Sequence, residues 1–161
     1  MGIFQPHGRS RGLFRRTALT AELRDPVILV YSLVQAIAAL TAAVRAGRSV
    51  VLASAPDAGG YMGPGWFGAL VAAAREAVPG ARFSTLLDCG DNVGATLAAI
   101  RAEIEGVAFT GRPDVARRLA DIAGQHGVRF EASRPAATLD LGEDFFASRE
   151  SIERCCAEIL G

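Results

Sequence analysis

The stretch RFSTLLDCGDN, residues 82–92, decides the fold. Its apolar first half is typical of a β-strand, and the strand ends abruptly in Asp88, Cys89, Gly90 and Asp91. A helical pattern begins directly behind it. In parallel α/β folds, ligands bind at the carboxyl ends of the strands. Two carboxylates and a thiol at such a corner make this stretch the strongest local candidate for a functional site.

The same alternation of apolar runs and helical patterns continues on both sides of this stretch. Strands are predicted at Val27–Tyr31, Ser49–Ala55, Phe83–Leu87, Val107–Thr110, Val128–Ala132 and Ala137–Leu141. Helices are predicted at Leu33–Ala46, Trp66–Ala77, Asn92–Ile104, Pro113–Gln125 and Ser148–Leu160, with a glycine-rich loop at residues 56–65. Strands that alternate with helices of this length indicate βαβ units, a parallel sheet and right-handed crossovers.

This pattern predicts an α/β fold built from parallel βα repeats. Two arrangements stay open: part of a TIM-barrel-like fold, or an open doubly wound sheet of five to six strands. The chain has 161 residues, fewer than the roughly 200 that a complete eight-stranded barrel requires. We expect one α/β domain over residues 26–161, preceded by an N-terminal tail, residues 1–25. The tail is expected to be loose or to hold a short helix near Thr17–Leu23, with a phosphate- or membrane-binding arm as the alternative.

The composition excludes several classes of function within this chain. Apolar residues make up 50% and charged residues 21%, which is typical of a globular protein. The formal net charge is zero, so no general basic field favours nucleic acid as a partner. All 17 basic residues are arginine, which excludes a Schiff-base lysine, a pyridoxal-phosphate lysine and a P-loop lysine. The two histidines cannot form a three-histidine zinc site.

Cysteine usage and hydropathy bear on location. The three cysteines, Cys89, Cys155 and Cys156, are odd in number and form no Cys-x-x-Cys pair, so a reduced, cytoplasmic setting is expected. Val27–Val44 carries no charge. Its β-branched first half and alanine-rich second half predict a buried strand followed by a helix rather than a membrane span. We therefore expect no membrane partner.

Parallel strands bring the residues that follow each of them to one edge of the sheet. Polar, acidic and glycine residues collect there, and we expect them to bind a ligand. The candidate ligand-binding residues are Ser54, Asp57, Gly59, Gly60, Asp91, Asn92, Thr110 and Arg112. Arg112 is of the type that grips a phosphate or a carboxylate, and the glycine-rich loop is of the type that approaches an anion closely. Arg134 follows the predicted strand at Val128–Ala132 at the same edge.

Three residues of this edge, Asp88, Cys89 and Glu131, are candidates for catalysis. A strand-end carboxylate such as Asp88 can transfer a proton or hold a divalent ion, and the alternative is a carboxylate hydrogen-bonded to backbone amides. Cys89 is a nucleophile where a helix N-terminus lowers its pKa, and an inert buried thiol otherwise. We assign no residues of this chain as metal ligands. A divalent ion held by Asp57, Asp88 and Glu131 is the one cofactor that this pattern indicates.

The order of motifs from Val30 to Arg134 resembles that of the class II fructose- and tagatose-bisphosphate aldolases. In that family the second strand ends in a serine and an Ala-Gly loop with an aromatic-Met-Gly, the third in His-Leu-Asp-His-Gly, and the fifth reads Val-Glu-Ala-Glu. The first strand leads into a leucine- and glutamine-bearing helix. The similar segments of this chain are residues 30–37, 54–63, 86–90, 106–111 and 128–133.

The resemblance implies an ancestral half-barrel scaffold. Asp88 matches the family's proton-transferring aspartate, and Glu131 matches the first glutamate of its strand-five motif. The family's metal-binding histidine after that aspartate is Cys89 here, and its second strand-five glutamate is Ser133. The segments that supply its other zinc histidines and its phosphate-binding glycine loops have no counterpart in this chain. The resemblance thus implies an aldolase-like protein without a competent zinc site, and not a zinc-dependent bisphosphate aldolase.

Two functions compete on this basis. The first is a lyase or isomerase of the aldolase-like type that binds a small carbonyl or phosphorylated metabolite, with Asp88 as acid/base. The alternative is a non-catalytic oligomerising or regulatory α/β module, favoured by the missing metal ligands, the missing lysine and the abundant apolar residues. A receiver-type phosphoacceptor ranks last, because the first strand lacks an acidic pair for magnesium. A homo-oligomer is expected, since an open sheet edge favours self-association.

Overall fold

The computed structural model describes residues 25–161. The predicted tail, residues 1–25, and its short helix at Thr17–Leu23 lie outside the described residues, except for Asp25. The strands are β1 (Val27–Val30), β2 (Val50–Ser54), β3 (Phe83–Asp88), β4 (Gly106–Ala108), β5 (Arg129–Glu131) and β6 (Leu139–Asp140). The helices are α1 (Leu33–Ala46), α2 (Ala58–Tyr61), α3 (Pro64–Ala77), α4 (Val93–Arg101), α5 (Pro113–His126) and α6 (Arg149–Leu160).

Capping residues in the sequence set the ends of α1. The side chain of Ser32 accepts a hydrogen bond from the N–H of Gln35, which satisfies one of the free donors of the first turn. Gly47 ends the helix with a φ of 65°, the left-handed conformation that glycine adopts without steric cost. Because both signals are local, α1 has the bounds that the sequence predicts.

The six strands are all parallel and lie in the order β5-β4-β3-β2-β1-β6. This confirms the predicted α/β fold of parallel βα repeats. Strands β1 to β5 are neighbours in chain order, and β6 joins the sheet on the far side of β1. In the register, Asp88 pairs with Ala108, and Ala108 pairs with Glu131. Their side chains therefore point to the same face of the sheet, near its carboxyl edge.

The longer helices cover one face of the sheet and contact one another in the order α6, α1, α3, α4, α5. Helices α1, α3 and α6 pack on Ile28 and Leu52 in one buried cluster. Helices α3, α4 and α5 pack on Leu87 and Val107 in a second. Residues of the other parity, such as Leu29, are buried in a third cluster on the opposite face. The core thus has two layers, with the sheet between them.

This sheet shares one feature with each arrangement that the sequence leaves open. Helices on a single face surround a barrel in the same way. A strand added on the far side of β1 is typical of a doubly wound sheet. The sheet itself is open, with β5 and β6 at its two edges.

The charge-free segment Val27–Val44 forms β1 and most of α1, as its composition predicts. Within residues 25–161, no helix combines the length and the hydropathy that a membrane span requires.

Helix α2 is an element that the sequence pattern does not predict. A loop is expected over residues 56–65, but residues Ala58–Tyr61 form a helical turn there. Glycine is a weak helix former, so Gly59 and Gly60 give this segment a low helix propensity, and the sequence does not predict the turn. Gly59 is needed for packing, because a Cβ at this position would lie 2.6 Å from Cys89 Sγ. Close contact with the end of β3 therefore favours the turn more than its own residues do.

Gln35, on α1, connects the carboxyl ends of β1 and β6. It is fully buried, at 0% exposure. Its Oε1 accepts a hydrogen bond of 2.7 Å from the N–H of Tyr31, and its Nε2 donates one of 2.6 Å to the carbonyl oxygen of Leu141. Since β6 pairs with β1 over only two residue positions, this side chain adds a buried polar link to the backbone hydrogen bonds that hold the last strand.

We expect Gln35→Leu to destabilise the protein, because it removes the partners of the buried Tyr31 N–H and Leu141 carbonyl. Each unsatisfied group costs roughly 1–3 kcal/mol. Urea unfolding followed by circular dichroism measures the loss. The control is Gln125→Leu, an exposed glutamine on α5, which should change the unfolding free energy by less than about 0.5 kcal/mol. Equal stability of the two variants would contradict this role of Gln35.

Candidate functional site

Asp88, the last residue of β3, carries a carboxylate that is almost fully buried, with 4% exposure. Its Oδ1 accepts hydrogen bonds from the backbone N–H groups of Asp57, at 3.1 Å, and Gly90, at 2.9 Å. Its own backbone N–H donates to Ser54 Oγ at 2.9 Å. The segments that follow β2 and β3 therefore converge on one carboxylate.

Arg134, in the segment after β5, completes the coordination of this carboxylate. Its Nε donates to Asp88 Oδ2, and its Nη2 donates to Asp88 Oδ1 at 3.1 Å and to Asp57 Oδ1 at 3.2 Å. The Arg134 side chain is 38% exposed. Its hydrogen bond to Asp88 raises the pKa of the guanidinium above its ordinary value, so the side chain stays positively charged. We call Asp57, Asp88 and Arg134 the rim cluster.

Asp57 has an unusual backbone conformation. Its φ is 60° and its ψ is 10°, in the left-handed region that few residues other than glycine adopt. In this conformation its N–H donates to Asp88, and its side chain, 65% exposed, lies over Gly90. Gly90 also has a positive φ of 57°, and a Cβ there would collide with Asp57 Oδ1. Backbone strain of this kind concentrates at functional sites.

The other candidate residues after β2 and β3 mainly shape the rim. Ser54 is buried, and its Oγ donates to the Ala55 carbonyl. A Cβ on Gly60 would lie 3.4 Å from Asn92 Nδ2, so the α2 turn packs against the start of α4. Asn92 caps α4 by accepting from the N–H of Ala95. These residues support the rim cluster without hydrogen-bonding to Arg134.

Within residues 25–161, the candidates after β4 form no direct hydrogen bond with the side chains of the rim cluster. Thr110 is exposed, and its N–H donates to the Gly90 carbonyl at 2.7 Å. Arg112 donates two hydrogen bonds of 3.1 Å to its neighbour Asp114, so its guanidinium is already engaged. Asp91, which follows β3, is exposed. The structure thus brings together Asp57 and Asp88 from the predicted set and leaves Arg112 outside.

Cys89 belongs to the apolar cluster beneath α3, α4 and α5 and is buried. Burial, with a smaller effect of the Asp88 charge, raises the pKa of its thiol to about 11. A thiol in such an environment stays protonated near neutral pH, which disfavours nucleophilic chemistry.

Glu131, at the end of β5, forms an ion pair with Arg129, with 3.6 Å between its Oε1 and Arg129 Nε. Burial raises the pKa of Glu131, and the Arg129 charge opposes that rise. Within residues 25–161, no three His, Cys, Asp or Glu side chains are placed to hold a metal ion. Asp57 and Asp88 converge on Arg134 rather than on a position shared with Glu131.

Two tyrosines lie at the carboxyl edge of the sheet, and one of them, Tyr61, is influenced by the rim cluster. Tyr61, at the end of α2, is exposed, and its hydroxyl donates to the Pro56 carbonyl at 3.2 Å. Burial and the charges of Asp57 and Asp88 raise the pKa of Tyr61. Burial and a hydrogen bond with Asp140 raise the pKa of Tyr31 to about 12. Both hydroxyls therefore stay protonated and can act as hydrogen-bond donors at this edge.

Arg134 is the member of the rim cluster that the sequence pattern does not assign to the site. The pattern places it at the carboxyl edge but gives no reason to join it to Asp88. A physical argument narrows the choice of partner for Asp88. A buried carboxylate needs a cationic partner, and Arg112 and Arg134 both follow parallel strands at this edge. The choice between these two arginines depends on the path of the chain after β5, which brings Arg134 to Asp88.

The fold and the rim cluster define a class: a parallel α/β protein with an arginine-bridged carboxylate pair at the carboxyl rim of its sheet. No family model matches the chain, and no curated protein matches it. The resemblance to the class II aldolases therefore stays a prediction.

The cysteine environments predict a distinct labelling pattern. At pH 8, a thiol with a pKa of about 11 is ionised in about one molecule in a thousand. Cys156 is also buried, with a pKa of about 12, whereas Cys155 is partly exposed. We expect iodoacetamide to alkylate Cys155 first in the native protein and all three cysteines in urea, as mass spectrometry of peptides reports. Fast alkylation of Cys89 in the native protein would contradict the interpretation of Cys89 as an inert thiol and would support its role as a nucleophile.

Proposed function

We propose that the protein binds a small carbonyl or phosphorylated metabolite at the carboxyl rim, with Arg134 and Asp57 as the contacting groups. One observation carries this proposal. Arg134 is held in place by Asp57 and Asp88, yet its side chain stays partly exposed, and so does that of Asp57. A fixed donor beside an exposed acceptor is the arrangement that orients a polar ligand without a large loss of side-chain entropy.

Asp88 acts in this proposal as a positioning residue. Its Oδ1 accepts from two backbone N–H groups and from Arg134, and its Oδ2 accepts from Arg134 Nε. A carboxylate with this many donors is well suited to hold Arg134. The proposal includes proton transfer by Asp88, as in a lyase or an isomerase. This step requires a substrate that displaces the Arg134 guanidinium from Asp88 Oδ2.

Arg134→Lys tests the contact role. Lysine keeps the charge but loses the planar guanidinium that bridges Asp57 and Asp88, so we expect ligand affinity to fall by at least about tenfold. The measurement is a thermal-shift and NMR screen with small aldehydes, ketones, sugars and sugar phosphates, followed by titration of the compounds that bind.

The matched control is Arg112→Lys, an arginine that also follows a strand and, within residues 25–161, pairs with Asp114 alone. It should leave affinity within about twofold, because exposed pairs of this kind contribute little. Equal losses in the two variants, or no binding of any compound by the unmodified protein, would overturn the proposed function.

A non-catalytic, self-associating module is the second candidate function. Large apolar side chains are exposed where the chain leaves β1, β2 and β6: Leu33, Val34, Tyr61, Met62, Phe145 and Phe146. Phe146 is 95% exposed and stacks edge-on against Phe145, with 5.1 Å between the ring centroids. Exposed apolar patches of this kind are typical of protein interfaces.

Under this candidate function we expect the protein to be a dimer or larger, and Phe146→Ser to shift it to the monomer mass without lowering its melting temperature. Sedimentation equilibrium measures the mass. The control, Ile159→Ser, changes an exposed apolar residue near the C-terminal end of α6 and should leave the mass unchanged. A monomeric unmodified protein would rule this function out.

A further inference from the structure

The two arginines that follow strands at the rim are both neutralised by carboxylates. Arg134 is shared between Asp57 and Asp88, and Arg112 is held by Asp114 through two hydrogen bonds. The sequence contains no lysine that could add an ammonium group. An anionic ligand at the rim cluster would therefore have to compete with carboxylates that already occupy the guanidinium.

The rim cluster carries an excess of negative charge. Two carboxylates and one guanidinium leave a formal charge of −1. Burial, and after it the charges of Asp57 and Asp88, raise the pKa of the Tyr61 side chain. The excess lies on Asp57, because the Asp88 carboxylate is buried and bonded to Arg134 while the Asp57 side chain is 65% exposed.

Two hydrogen-bonding groups of the cluster remain available to a ligand. Within residues 25–161, the structure gives no partner to Arg134 Nη1 or to Asp57 Oδ2, although Arg134 Nη2 and Asp57 Oδ1 lie 3.2 Å apart. A donor and an acceptor without a protein partner thus belong to two paired side chains, which are 38% and 65% exposed. A carbonyl oxygen next to a hydroxyl group matches this pair, since the oxygen accepts from Nη1 and the hydroxyl donates to Oδ2.

We propose that the rim cluster selects uncharged, hydroxylated carbonyl compounds and disfavours their phosphorylated equivalents. This inference rests on the proposed function and narrows its ligand class. A phosphate is an acceptor only, apart from its single titrating proton, so it leaves Asp57 Oδ2 unsatisfied and faces its charge at close range. A neutral hydroxycarbonyl group satisfies both partners without that repulsion.

The test compares ligands that differ only in a phosphate: glyceraldehyde with glyceraldehyde 3-phosphate, and ribose with ribose 5-phosphate. Each is titrated into the ¹⁵N-labelled full chain, with the Gly90 amide and the Arg134 Nε–H as reporters of the rim cluster. The uncharged member of a pair is expected to bind at least about tenfold more tightly at low salt. Tighter or equal binding of the phosphorylated member overturns the inference and leaves the proposed function standing.

Asp57→Asn separates the charge from the shape of the site. The amide keeps a hydrogen-bonding group at the same position but removes the excess charge, so the preference for the uncharged member should fall by about tenfold. The control is Asp121→Asn, an exposed carboxylate on α5, which should leave the preference unchanged. An unchanged preference in Asp57→Asn also overturns the inference. Absence of any shift at Gly90 and Arg134 with all four compounds overturns both the inference and the proposed function.

Discussion

The buried carboxylate of Asp88 is the constraint on which the carboxyl rim depends. A charged group in an apolar interior is costly unless it is paired and hydrogen-bonded. Here the partners come from three separate segments: the backbone of Asp57 after β2, the backbone of Gly90 after β3, and the side chain of Arg134 after β5. Satisfying this one group therefore fixes the relative positions of three connections that are far apart in sequence.

The unusual backbone around Asp88 follows from that requirement. Asp57 takes a left-handed conformation, which costs on the order of 1 kcal/mol for a residue with a side chain, and there its N–H donates to the carboxylate. Gly90 must lack a side chain, because Asp57 lies directly over it, and Gly59 must lack one because Cys89 lies beside it. Gly59 and Gly90 thus allow close packing around the end of β3.

The sequence predicts the elements of this fold well because their signals are local. The bounds of α1 follow from Ser32 and Gly47, and the parallel sheet follows from the alternation of apolar strands with helices. Asp88 and Asp57 are recognisable as carboxylates at strand ends. What the sequence does not reveal is the partner of Asp88, since that depends on how the segment after β5 crosses the sheet. Helix α2 is hidden for a similar reason, because it is stabilised by packing against β3 and not by its own glycine-rich residues.

The pairing of Arg134 changes what an arginine at this edge can do. An unpaired guanidinium attracts anions by its charge, whereas one that is shared between two carboxylates contributes mainly the direction of its remaining N–H groups. At the position where the resemblance to class II aldolases would place a metal ligand, Cys89 lies inside an apolar cluster. Within residues 25–161, the cation that contacts Asp88 is Arg134, which is already shared with Asp57. For the proposed function, recognition at this edge uses hydrogen bonds from Arg134 and the exposed carboxylate of Asp57, and this pairing supports our proposal that the site prefers polar, uncharged groups.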